Sequence, residues 1–149
     1  MLKGSRIDSN SPPLVGWREW LGLPDLDIER VKAKIDTGAR SSSLHAFDLQ
    51  EFRRGNRTWI QFSVHPLQHS AVPTITTEAP LIEYRKVRSS SGHWMERPVI
   101  LTTIDLGGFR WPIELTLSSR DEMGFRMLLG RSAVRNRFLV HSGQSYLHS

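Results

Sequence analysis

The sequence contains no cysteine. That absence removes disulfides, thiolate zinc sites and a cysteine nucleophile together, and it fits a reducing compartment. No apolar run approaches the roughly 20 residues that span a bilayer. Residues 1–13 are polar and lack the apolar core of a secretory signal, so the expected location is the cytoplasm. No Gly-x-x-x-x-Gly-Lys-Ser/Thr loop marks a phosphate cradle, and no His-Glu-x-x-His marks a zinc hydrolase. The six histidines are His45, His65, His69, His93, His141 and His148. His65 and His69 have the spacing of two ligands on one helical face, but Pro66 argues against that helix. Surface histidines are the commoner reading. A zinc site built from His45, His65, His93 and a carboxylate is the minor alternative, so no metal and no cofactor is expected.

What the chain does have is enough apolar sequence for one domain. Its 149 residues are 38% apolar, which allows a proper core and argues against disorder of the body. Net charge is +5, spread along the chain. The densest basic groups are Arg53-Arg54-Gly55-Asn56-Arg57 and Arg85-Lys86-Val87-Arg88. Both read as hairpin tips or exposed strand faces, and solvated surface is the first reading of each; acidic substrates and nucleic acid are the alternatives.

Taken in order, residues 1–13 are rich in Ser, Asn and Pro and read as a disordered leader. Folded sequence begins near Leu14. Residues 14–20 read as a strand, Gly22-Leu23-Pro24-Asp25 as a turn, and residues 26–35 as a returning strand. Another extended segment follows at residues 44–47. Residues 58–64 alternate with Ile60, Phe62 and Val64 on one face. Residues 65–80 read as a loop. Strands at 81–87 and 98–106 flank the turn cluster Ser89-Ser90-Ser91-Gly92, giving a projecting polar hairpin. Gly107-Gly108 is a tight turn. Residues 109–117 carry the cleanest alternation, with Phe109, Trp111, Ile113, Leu115 and Leu117 on one face. Pro112 places that strand at an edge or a bulge. Met127-Leu128-Leu129-Gly130 is a short buried strand, Ser132 N-caps a brief helix over 133–137, and residues 138–140 form a last strand, with 143–147 pairing weakly. The reading is a mainly β, single-domain barrel over residues 14–149 with one short C-terminal helix.

The stretch with chemistry in it is Lys34-Ile35-Asp36-Thr37-Gly38-Ala39-Arg40. The alternation Val31-x-Ala33-x-Ile35 leads a half-buried strand into an acid, a hydroxyl and a glycine. Asp36 is a candidate catalytic carboxylate, Thr37 a candidate hydrogen-bond partner, and Gly38 the residue that lets backbone N–H groups approach the acid. The same residue types are common in ordinary polar turns. Asp105, in Thr103-Ile104-Asp105-Leu106-Gly107, also follows an apolar strand, although the hairpin turn after it explains it equally.

Two elements together carry a resemblance: the apolar strand ending in Asp36-Thr37-Gly38-Ala39, and Leu128-Leu129-Gly130-Arg131 before a short helix. With the polar hairpin between them, they resemble the retropepsin-like aspartic peptidases. The resemblance implies a closed barrel in which Asp36, Thr37 and Gly38 form the catalytic turn. Leu128, Leu129, Gly130 and Arg131 would support it. A flap over residues 83–97, with Ser90, Ser91 and Gly92 at its tip, would join Ala39 and Arg40 in holding substrate.

Val15-Gly16-Trp17-Arg18-Glu19, Lys32-Ala33-Lys34-Ile35-Asp36-Thr37-Gly38-Ala39-Arg40, Arg97-Pro98-Val99-Ile100 and Met123-Gly124-Phe125-Arg126-Met127-Leu128-Leu129-Gly130-Arg131 resemble a bacterial family labelled "ATP-dependent zinc protease", linked with ATP-grasp ligases of the RimK type that add glutamate. This implies a peptide or protein substrate, acidic in character, and a ligase partner. A lone Asp-Thr-Gly implies a homodimer, with Asp36 from each subunit. A non-catalytic peptide- or ligase-binding module on the same fold, and a zinc hydrolase, are the alternatives. Neither nucleic acid nor membrane is an expected partner.

Overall fold

Period-two alternation dominates the chain, and strands follow from it. The computed structural model describes residues 11–67, 70–88, 91–119 and 124–148. Residues 1–10 of the expected leader, and Ser89 and Ser90 of the expected hairpin tip, lie outside the described residues. In chain order the elements are β1 (Leu14–Gly16), β2 (Arg18–Leu23), a 3-10 turn (Pro24–Leu26), β3 (Ile28–Asp36), β4 (Ser42–His45), β5 (Phe47–Arg54), β6 (Arg57–Val64), β7 (Ile75–Arg88), β8 (Trp94–Leu106), β9 (Phe109–Ser118), β10 (Met127–Gly130), α1 (Arg131–Val134) and β11 (Leu139–His141). No helix among the described residues is long and apolar enough to cross a membrane.

Six strands close into a barrel in the order β2-β3-β10-β4-β9-β8, and the pairing of Gly22 with Asp105 completes the ring. Strands β7, β6 and β5 extend the sheet beyond β8. The interior takes one face of each barrel strand: Leu21 and Leu23, Val31, Ala33 and Ile35, Leu44, Ile100 and Ile104, Leu115 and Leu117, and Leu129. Each large aliphatic side chain removed from water there contributes about 1.5–3 kcal/mol. The expected inner face of β9 is present from Trp111 to Leu117. Phe109 stays half-exposed and packs edge-on against Phe138, with ring centroids 5.5 Å apart.

Several expectations are corrected. The first extended segment is two strands, broken at Trp17: β1 leaves the barrel to pair in parallel with β11, while β2 pairs antiparallel with β3. The region expected to loop as far as Pro80 turns into β7 at Ile75, because β6 supplies an antiparallel partner for residues 75–80. Pro112 lies in a strand that has neighbours on both sides. However, β4 covers β9 only over residues 115–118, so the missing N–H falls where that side of β9 is open.

The weak pairing expected of residues 143–147 is made with Trp17 and Arg18, at the start of β2, and one carboxylate holds the segment as well. Trp17 N–H donates to Gln144 O, and Tyr146 N–H donates to Arg18 O. Glu19, fully buried, accepts from the N–H groups of Gly16 (2.7 Å), Leu147 (2.8 Å) and His148 (3.1 Å). A buried carboxylate is tolerated when backbone donors replace its water in this way. The exchange Glu19→Gln puts an amide NH2 against a backbone donor. The expected result is a loss of about 2–4 kcal/mol in urea unfolding, with faster amide hydrogen exchange at Leu147 and His148.

Candidate active site

Strand β3 ends at Asp36, and the chain turns at once. Oδ1 of Asp36 accepts from Gly38 N–H (2.9 Å) and from Ala39 N–H (3.2 Å). Two N–H groups on one oxygen fix the plane of the carboxylate. Oδ2 takes no hydrogen bond from the described residues, so the second oxygen of a half-buried carboxylate remains available. Thr37 is exposed, and the groups that fix the acid are the backbone N–H groups of Gly38 and Ala39 rather than the Thr37 hydroxyl.

The turn is braced from below. Strand β10 runs parallel to β3, with Gly130 opposite Asp36 and Leu129 opposite Ile35. On its other side β10 pairs with β4. Arg131 N–H donates to Ala39 O (2.7 Å), and Ser132 N–H donates to Arg40 O (3.0 Å). These carbonyls satisfy the first N–H groups of α1, which explains why the helix starts at Arg131 without the Ser132 cap expected from sequence. The Arg131 guanidinium donates to Thr37 O at 3.0 Å; among the described residues it pairs with no acid. Ser42 Oγ accepts from Gly130 N–H at 3.0 Å. Ser42 is not among the residues expected at the site; its two-residue spacing from buried Leu44 is the sign in the sequence that it faces inward.

The hairpin of β7 and β8 is paired from Leu81–Ile100 out to Arg88–Trp94. Its tip includes Ser91 and Gly92, the latter at φ +88°. Tyr84 braces the hairpin by donating to Glu51 of β5 at 2.6 Å. Partial desolvation of the phenol and the Glu51 carboxylate beside it push the Tyr84 pKa up to about 12. Arg85 bonds Glu114 of β9 (2.9 Å) and Glu83, and both raise its pKa.

A groove of about 540 Å³ opens beside the Asp36 turn, between residues 40–42, the root of the hairpin, β9 and α1. Trp111, Ile113 and Ala133 form its apolar floor, and Pro112 lies on its open strand segment. Arg40, Arg85 and Arg137 line it with Ser41 and Ser132; Glu114 is its one acid. Arg137 also lies 5.0 Å over the Trp111 ring. Among the described residues neither Arg40 nor Arg137 has a carboxylate partner. Of these, Arg40 alone is among the substrate contacts expected from the sequence.

Asp105 is not brought to this site. Its carboxylate accepts from Gly108 N–H (3.1 Å) and Arg110 Nε (2.8 Å), which commits it to the β8–β9 turn. It pairs with Gly22, near the Ile28 end of β3, and Asp36 lies at the other end, roughly 25 Å away along the strand. The zinc implied by the family label finds no donor set among the described residues. Among the described residues no three His, Asp or Glu side chains gather to hold a metal. His45 Nδ1 faces Arg126, His65 Nδ1 meets Thr74, and His93 is exposed.

A strand-end acid clasped by the N–H groups two and three residues on, seated beside an apolar-apolar-glycine strand in a closed six-stranded barrel, defines the fold of the aspartic peptidases in its single-lobe form. The chain belongs to the RimB-like family, described as "Retropepsin-like aspartic endopeptidase RimB", which it matches over residues 14–149. It is 41% identical over 138 residues to a "Probable alpha-L-glutamate ligase" of Shewanella halifaxensis, covering 93% of this chain and 30% of that protein. It is 50% identical over 127 residues to a protein of the same name from Parasynechococcus marenigrum, covering 85% of this chain and 27% of that one. The chain thus spans less than a third of the length of these curated relatives. A Legionella pneumophila crystal structure of unknown function superposes with a TM-score of 0.80 at 26% identity, covering 93% of this chain and all of that one.

Two outcomes follow from this geometry. A Cβ on Gly130 meets the Ser41 carbonyl group well inside van der Waals contact and Ala39 O at 3.0 Å, all of it backbone. Gly130→Ala should therefore cost about 1–3 kcal/mol in thermal or urea unfolding. Tyr84 protonated in the fold but ionised in the unfolded chain makes stability fall as pH rises from 10 toward 12; below pH 10 its contribution is complete. Tyrosinate absorbance should show a step near pH 12 that Tyr84→Phe removes and Glu51→Gln moves toward 10.

Proposed function

We propose that the chain is one half of a homodimeric aspartic endopeptidase that cleaves acidic peptide segments. The observation that carries this reading is the Asp36 carboxylate, held through Oδ1 by Gly38 and Ala39 with Oδ2 left open. Two such acids across a two-fold axis share one proton, because two close negative charges resist full ionisation. The ionised Asp36 takes a proton from a water whose oxygen attacks the scissile carbonyl carbon. The protonated Asp36 of the second copy gives its proton to the carbonyl oxygen. Collapse of the tetrahedral diol breaks the C–N bond, and the nitrogen leaves with a proton returned from the dyad.

The ribbon of β1 and β11 favours the dimer. Neither strand pairs with another strand among the described residues, and Leu14 and Leu139, register partners, are both about half-exposed. An open two-stranded edge with an apolar face is a surface a second copy can extend across a two-fold axis. The acidic substrate is favoured by Arg40 and Arg137, cations with no carboxylate partner among the described residues, beside the proposed catalytic turn. It is also favoured by the ligase names of the relatives, in which this region is joined to a larger protein. The same names favour a second reading, a non-catalytic module that seats a glutamylated chain for a ligase.

The test is hydrolysis of an oligo-glutamate substrate by the native chain and by Asp36→Asn, with sedimentation of both. The expected result is a dimer whose activity falls by roughly 1,000-fold or more in the variant, while Arg40→Gln and Arg137→Gln raise KM. Binding of the peptide without hydrolysis, unchanged by Asp36→Asn, establishes the module reading instead.

A further inference from the structure

The β5–β6 hairpin carries side chains for which peptide hydrolysis has no use. Read as a linear cluster, Arg53 to Arg57 is solvated surface. The register adds to it. Phe52 pairs with Trp59, Arg54 with Arg57 and Gln50 with Gln61, so these six side chains share one face of the hairpin. The opposite face sends Ile60 and Phe62 into the core, which fixes the six toward solvent. The Phe52 and Trp59 rings lie 6.4 Å apart at 34°, and the Arg54 guanidinium sits 4.5 Å over Trp59 and 5.3 Å over Phe52. Glu78, opposite Gln61 on β7, pairs with Arg54 and is the one carboxylate among the paired positions of this face. Glu51 belongs to the other face and is taken by Tyr84. Arg57 has no carboxylate partner among the described residues, and Arg53, on the back of the tip, bonds only the Thr58 hydroxyl. Among the described residues strand β5 pairs with β6 alone, so the face ends there at an open edge.

We propose that this face binds single-stranded nucleic acid. Two adjacent aromatic rings on a sheet offer stacking surfaces to successive bases, and a base that displaces Arg54 from Trp59 leaves a phosphate to compete with Glu78 for that guanidinium. Arg53 and Arg57 continue the positive charge along the backbone path. Gln50 and Gln61, both exposed amides, sit where base edges come to lie. An acidic peptide would use the arginines and leave both rings without a partner, and a duplex would hide the base faces that the rings require. The site is independent of Asp36.

The test is fluorescence anisotropy of labelled oligo-uridine and oligo-thymidine with the full chain across a salt series. Saturable binding is expected at low salt. Phe52→Ala should weaken it by about tenfold, and Arg57→Ala should flatten the plot of log K against log salt by roughly 0.7. Asp36→Asn should bind as the native chain does. Absence of saturable binding at low salt overturns the proposal, as does native affinity in Arg57→Glu, an exposed position whose change leaves the fold intact even where Phe52→Ala unfolds it. Displacement by oligo-glutamate at the same concentration as unlabelled oligo-uridine also overturns it and identifies an acidic-peptide surface.

Discussion

Everything around Asp36 depends on how closely two backbones can pass. Strand β10 runs beside β3 with a glycine at the register position of the acid, and its other flank presses on residues 39–41 of the same loop. A side chain there would force the strands apart. The loop would then lose the two carbonyls that satisfy the start of α1, and Asp36 would lose the geometry set by Gly38 and Ala39. One hydrogen atom in place of a methyl group therefore couples the barrel, the helix and the carboxylate. The hydroxyl of Ser42, bonded to the glycine N–H, closes the same contact from the β4 side.

The parts of this arrangement that were legible in the sequence are those governed by local pattern. Alternation into Asp36 and the inner face of β9 follow from a two-residue period, and the Leu128-Leu129-Gly130 run from unbroken apolar sequence closed by a glycine. What was not legible depends on partners far along the chain. The break at Trp17 has no local signal; it arises because residues 14–16 pair with 139–141 while residues 18–23 pair with β3. The start of α1 was misplaced because its cap is a pair of distant carbonyls and not a side chain. Glu19 looks like a surface charge in a Trp-Arg-Glu-Trp string, and only the C-terminal backbone reveals why it is buried.

The groove shows how one backbone defect shapes a surface. Pro112 cannot donate, and β4 covers only the far part of β9, so an interior strand keeps an open segment just beside the Asp36 turn. The space is floored by Trp111 and rimmed by arginines from three separate parts of the chain, Arg40, Arg85 and Arg137. Arg85 is answered by Glu114 and Glu83, whereas the other two keep their charge toward solvent. Charge scattered along the sequence is thus sorted by the fold into neutralised and available positions.

The bond from Arg131 to Thr37 joins residues 94 positions apart. Contacts of such separation form late and slow the search for the native state. During synthesis, the loop that bears Asp36 emerges long before the strand and arginine that shape it. Until β10 and Arg131 have joined, the Asp36 loop has β2 beside its strand and its own local bonds, but not the parallel neighbour and the guanidinium that brace it from the far end of the chain.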